Sequence, residues 1–216
     1  MVISLGHTRS SHNWQTMPGN WDRLNTRALY DSMNEFGIPD LPYVQARPER
    51  LVAYNNRYAC EHAEPNSAVH FFLDDYRFEV VWTKPERGVS RPAKVGMALT
   101  PDFSMWREMP LVMQQWQIYR SRWCGMWMWH HGITVIPTIT WSGYQSYSFA
   151  FQGVAPGSTV AISTVGVRKD SEASFRHGVE AMVDQIGPSN ILVYGRMIPA
   201  LENLDNLVFY PHNWRQ

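Results

Sequence analysis

Seven short apolar runs, spaced between residues 51 and 210, constrain the fold of this chain more than any other feature. They cover residues 51–54, 69–73, 95–99, 133–139, 159–163, 191–194 and 207–210. Several are apolar at successive positions and not only at alternate ones, the pattern of strands covered on both faces. Between them lie stretches with helical period. Residues 110–131 form the longest, with Pro110 in its first turn and Gly132 closing it. Residues 171–186 form another: Asp170 or Ser171 caps it, Phe175, Val179, Val183 and Ile186 make one stripe, and Gly187-Pro188 stops it. The last four runs are separated by about the length that a crossover needs, so parallel pairing with right-handed connections is expected. The predicted class is α/β, a mostly parallel sheet flanked by helices. A doubly wound sheet and an incomplete, barrel-like sheet both satisfy the pattern.

Ahead of this region the sequence is different in kind. Residues 1–48 read as an N-terminal arm, and residues 49–216 as a single α/β domain. Within the arm one helix is predicted: Asn20 is its N-cap, Leu24, Ala28, Leu29, Met33 and Phe36 recur at three- and four-residue spacing, and Gly37 followed by Pro39 ends it.

Composition matters chiefly for what it excludes. The 19 basic and 19 acidic residues cancel over the 216-residue chain, and they nearly cancel within each third, so the polycationic footprint of a general nucleic-acid binder is missing. No run approaches the roughly 18 apolar residues of a membrane span. Where an export signal needs an apolar core the chain carries His7, Arg9, Ser10, Ser11 and His12, so the expected compartment is the bacterial cytoplasm. Cys60 and Cys124 are too few for a disulfide framework and are expected as free buried thiols. Only Lys84, Lys94 and Lys169 are lysines, a bias toward arginine that suggests a GC-rich, actinobacterium-like host.

A set of short spaced motifs is familiar. The run His70-Phe71-Phe72-Leu73-Asp74-Asp75-Tyr76-Arg77-Phe78-Glu79 is followed by Pro101-Asp102-Phe103-Ser104, Tyr119-Arg120 and Val135-Ile136-Pro137 with Trp141. Ser163-Thr164 with Gly166, then Tyr194-Gly195, complete it. Across about residues 68–196 the chain resembles domain-of-unknown-function family 4417, whose members look like proteins of phages and mobile elements. The resemblance implies a phage-linked protein and supplies no activity.

Two groups of residues are candidates for function. In parallel sheets, ligands sit at the carboxyl ends of strands, and here those ends carry Asp74, Asp75, Asp102, Ser104, Trp141, Ser163, Thr164, Tyr194 and Arg196. Two carboxylates from different strands could hold a divalent cation or act as acid and base, with Arg196 on an anionic group. The structural alternative is that Asp74 and Asp102 cap the turns after their strands. The second group is aromatic and sulfur-rich. Trp116, Tyr119, Trp123, Trp127 and His130 recur along one helical face, which suits core packing, while Met128 and Trp129 fall off that stripe. An exposed part of this group would be a protein-binding surface.

His130 and His131 are adjacent, not three or four apart, and Cys60-x-His62 has no second cluster, so no metal site is expected from spacing. No Walker, G-x-G-x-x-G or G-x-S-x-G motif occurs, and the sequence names no cofactor. Two functions therefore stand as expectations. One is a phage accessory protein that binds a host protein or itself. The other is a metal-assisted hydrolase acting on a phosphoester or sugar at the strand ends.

Overall fold

In a computed structural model the structure describes Asn25 and residues 28–212. All seven predicted strands are present: β1 (Arg50–Ala53), β2 (Ser67–His70), β3 (Met97–Leu99), β4 (Thr134–Ile136), β5 (Val160–Ser163), β6 (Ile191–Tyr194) and β7 (Leu207–Tyr210). Every pairing is parallel. One sheet runs β1-β2-β3-β4 and the other β5-β6-β7, and a parallel bridge from Thr138 to Ala161 joins them. The spatial order thus follows the chain order without reversal. That is the winding of a barrel and not of a doubly wound sheet, which changes direction at its centre.

The side chains confirm the curl. Along each strand successive residues point to opposite faces. Leu51, Met97, Leu99, Ile136, Ala161, Leu192, Tyr194, Val208 and Tyr210 gather in one interior cluster fed by all of β1 and β3–β7, with Phe72 just beyond the end of β2. Their alternating neighbours face outward. Val52, Val69, Ala98 and Val135 join the cluster that takes Trp123, Cys124 and Met128 of helix α5 (Leu111–His130), and Val160, Ile162, Ile191 and Val193 join the one that takes Val179, Met182 and Ile186 of α7 (Glu172–Ile186). Among the described residues no pairing joins β7 to β1, so the barrel stays open.

Local chemistry sets the element ends. Pro137 has no N–H to donate, and β4 stops at Ile136, three residues before the end of the apolar run. Val95 closes helix α4 (Ser90–Val95) and does not begin β3, because Gly96 at φ +84 makes a left-handed C-cap between them. Upstream of α4, the region between β1 and β3 also holds α1 (Arg57–Glu61), α2 (Val80–Thr83) and α3 (Pro85–Gly88), all too short to announce themselves by period. A last short helix, α6 (Tyr147–Ala150), lies between β4 and β5.

The predicted arm helix is corrected. Its first part falls outside the described residues, and from Ala28 to Met33 the chain is irregular, with a turn at residues 34–36. Polar side chains outcompete the helical ladder there. Asn34 Oδ1 accepts from the N–H groups of Phe36 and Ile38 at 3.2 and 3.1 Å, and Asp40 Oδ2 accepts from the N–H of Met33 at 2.6 Å. Long-range bonds hold the same segment down, since Trp123 Nε1 donates to the Ala28 carbonyl at 2.9 Å. Further on, Ile38, Leu41 and Val44 are buried, and the Thr159 N–H donates to the Val44 carbonyl at 2.8 Å.

Arg122 ties the layers together. It is fully buried and donates to the carbonyls of Gln152, Thr138 and Ala150 at 3.1, 2.9 and 3.2 Å. Burial without a carboxylate partner lowers its pKa to about 10. Both cysteines are buried and unpaired.

Candidate functional site

A cleft of about 640 Å³ opens at the carboxyl ends of the strands. The loop after β2 contributes Phe72, Leu73, Asp74 and Arg77, the loop after β3 Asp102, and the segment after β4 Ile139, Thr140 and Trp141. Ser163 comes from the end of β5, Phe175 from the second turn of α7, and His212 from beyond β7.

Asp102 is the most unusual group in this wall. Its one hydrogen bond within the described protein is accepted from the Thr140 hydroxyl. Burial of the carboxyl pushes its pKa up to about 6; the Thr140 hydroxyl acts against that shift, and the charge of nearby Asp75 adds to it. Asp75 itself is fixed structurally: it accepts from the Ser104 N–H and hydroxyl at 3.1 and 2.8 Å, which joins the loops after β2 and β3. Asp74 is mostly exposed at the rim, where Arg77 Nε donates to it at 3.3 Å. Neither Asp74 nor Asp102 caps the turn after its strand; Asp74 precedes a 3-10 turn, and its carboxylate meets the Arg77 guanidinium of that turn and not the turn's backbone N–H groups. The turn-capping explanation therefore does not account for either carboxylate.

The remaining strand-end residues divide. Trp141 and Ser163 line the cleft as expected. Thr164 does not: it is buried, its hydroxyl donating to the Arg196 carbonyl and accepting from the Arg196 N–H, each at 2.9 Å, so it locks the loops after β5 and β6 together. Arg196 is exposed and aims its guanidinium at the Val167 carbonyl, 3.4 Å away, outside the cleft lining. Tyr194 is buried in the barrel mouth, stacked on Phe72 at 5.1 Å between ring centroids. Among the described residues the guanidinium in the wall is that of Arg77, three residues beyond Asp74 in the motif that carries the family resemblance.

Thr140, directly before Trp141, carries no pattern of its own. Phe175 reads in the sequence as part of the α7 core stripe. His212 lies beyond the last strand, where the chain offers no motif.

Trp141 is held from behind. A Cβ built on Gly178 of α7 would lie 1.9 Å from the Trp141 indole nitrogen, so only glycine at this helical position lets the indole seat against α7. Trp141 also meets Phe175 at 5.1 Å between ring centroids.

The aromatic face of α5 is mainly core. Trp123 is fully buried, stacked on Trp127 at 5.4 Å and edge-on to Trp82 at 5.3 Å, and Met128 is buried too. Neither can belong to an exposed binding surface. Trp127 is half-buried, and Trp129 remains 43% exposed. A second exposed apolar group, Leu111, Val112, Met113 and Trp116, lies at the other end of the helix, where Val112, Met113 and Trp116 border a groove with Phe36.

Among the described residues no three His, Cys, Asp or Glu side chains form a group that could hold a metal ion, and no helix is long and apolar enough to cross a membrane.

Comparison with known proteins gives the chain its relatives. The "Gene 1 protein" of Mycobacterium phage L5 is 44% identical over 211 residues, covering 96% of this chain and 92% of that protein. The "Gene 1 protein" of Mycobacterium phage D29 is also 44% identical over 211 residues, covering 96% of this chain and 78% of that protein. No solved structure matches. The model of the family described as "Domain of unknown function (DUF4417)" matches residues 30–210, which takes in all seven strands and nearly the whole cleft, and the chain belongs to that family.

Proposed function

We propose that this phage-linked protein binds a small polar ligand in the cleft at the strand ends and performs acid–base chemistry on it, with Asp102 as the group that carries the proton. The supporting observation is Asp102 itself. A carboxyl group set into a cleft wall with one hydroxyl partner among the described residues and an acidic neighbour is poorly stabilised as a charge. With a pKa of about 6, both of its protonation states are populated near neutral pH, the condition under which a side chain can give and take a proton. Asp74 and Arg77 at the rim would orient the ligand. The expected place of action is the cytoplasm of the bacterial host.

The test is exposure of the purified protein to a small-molecule extract of a mycobacterium, followed by mass spectrometry. Wild-type protein should deplete at least one compound that Asp102→Asn, folded to the same extent, leaves untouched. Equal depletion by both proteins, or depletion by neither, would overturn the proposal.

A second reading, docking onto a host protein or a second copy of the chain, is favoured by Val112 at 70% exposure beside Leu111, Met113 and Trp116. It makes the opposite forecast: Asp102→Asn leaves the biological effect intact, and Val112→Asp abolishes it.

A further inference from the structure

We infer that the ligand of this cleft is an uncharged sugar, its apolar ring face set against Trp141 and its hydroxyls shared among Asp102, Thr140 and Ser163. The inference rests on the cleft being the working site and goes on to name what fills it.

Charge comes first. Among the described residues the lining holds two carboxylates, Asp74 and Asp102, one guanidinium, Arg77, already paired with Asp74 at 3.3 Å, and the imidazole of His212, which meets the Tyr194 hydroxyl at 3.4 Å. Asp75 stands close enough to act on Asp102 from behind the wall. Arg196, the cation that could have received an anionic group, is directed to the Val167 carbonyl. Among the described residues a phosphoester would therefore meet two carboxylates and a single guanidinium that is already engaged, whereas phosphate sites supply several free donors.

The distribution of polar atoms comes next. Asp74 and Asp102 offer acceptor oxygens, and Thr140 and Ser163 offer hydroxyls that can turn either way, so the wall suits a ligand rich in O–H donors. The same lining includes an aromatic surface, Trp141 with Phe175 beside it. A sugar ring combines an apolar C–H face with a rim of hydroxyls and matches both. The place of Gly178 points the same way: glycine weakens a helix interior, and this one admits the Trp141 indole where any side chain would displace it.

The experiment uses saturation-transfer NMR on the full chain with p-nitrophenyl glycosides of the common hexoses, pentoses and N-acetylhexosamines, in both anomeric forms. p-Nitrophenyl phosphate and adenosine serve as rival ligands. At least one glycoside should bind through its sugar-ring protons, and neither rival should displace it. Trp141→Ala, or Trp141→Leu if the first variant melts early, should weaken that binding about tenfold. Absence of binding by every glycoside, displacement by the phosphate ester or by adenosine, or unchanged affinity in the Trp141 variant would overturn the inference. Release of p-nitrophenolate separates this claim from the one beneath it. Glycoside binding without Asp102-dependent release would uphold the sugar and sink the acid–base role, and Asp102-dependent turnover of the phosphate ester alone would do the reverse.

Discussion

Two aromatic collections in this molecule look alike in sequence and do different things. Along α5, Trp123, Trp127 and the rings they meet, Trp82 and Tyr30, satisfy one another: stacked, tilted or edge-on pairs at 5.3–5.8 Å belong to the same buried cluster as the outer-face residues of β1–β4. At the strand ends, Trp141, Phe175 and Phe72 are each only half-buried and share their surroundings with Asp102, Thr140 and Ser163. Density of tryptophan picks out the first group, yet the second is the one with open space and polar chemistry beside it. Aromatic residues report burial wherever they complete each other's contacts, and they report recognition where a polar wall and a void remain.

The contrast is open to attack at four points. The largest effect is expected at Trp123. Because it is fully buried, Trp123→Ala should cost about 3–5 kcal/mol of stability in a urea melt. A loss under about 1 kcal/mol would mean that the α5 rings are not core.

Gly178→Ala comes second. The added methyl must drive the Trp141 indole from its seat, at a cost of about 1–3 kcal/mol in spite of the helical preference of alanine. A neutral or stabilising result in the same melt would show that Trp141 is not held from behind.

The third point is pH. In the folded protein the Asp102 pKa is raised to about 6, above the ordinary carboxylate value, so the native state binds the extra proton more tightly than the unfolded chain. Its contribution is therefore full at low pH and lost as pH rises from about 4 to about 6, by about 1–2 kcal/mol. Asp102→Asn should flatten that segment of the stability–pH curve, because the amide oxygen still accepts from Thr140 and carries no charge. A variant curve parallel to wild type through this window would contradict the shift.

Smallest is Trp129→Ala. At 43% exposure it should move stability by less than about 0.5–1 kcal/mol, and if the cleft is the site it should leave ligand depletion unchanged. A lost biological effect with unchanged melting would move the weight back to α5 as a docking face.

Much of the fold was legible because it rests on period and punctuation. The seven apolar runs became seven strands, and Pro110, Gly132 and Gly187 bracket α5 and α7 close to where they were read. The sequential order was not legible, since the alternation of Ala161, Leu192 and Val208 into one interior appears only when the strands are seen to curl. The arm misled for a local reason: Leu24, Ala28, Met33 and Phe36 keep a helical spacing, but Asn34 and Asp40 bind the backbone that the helix would need. At the site, Asp102 and Trp141 could be read from their place after strands. Arg196 could not be excluded and Thr140 could not be chosen, because both assignments depend on where a loop turns and not on residue type. Arg77 was missed beside Asp74 because one guanidinium in an acidic and aromatic run carries no period.

The most direct measurement is titration of the Asp102 side-chain carboxyl carbon by carbon-13 NMR, in wild type and in Thr140→Val. The account predicts a midpoint of about 6 in wild type, and a still higher one in Thr140→Val, because the hydroxyl it removes favours the charged carboxylate. A wild-type midpoint near the ordinary value of about 4, unmoved by Thr140→Val, would contradict the claim that this cleft holds a working acid–base group.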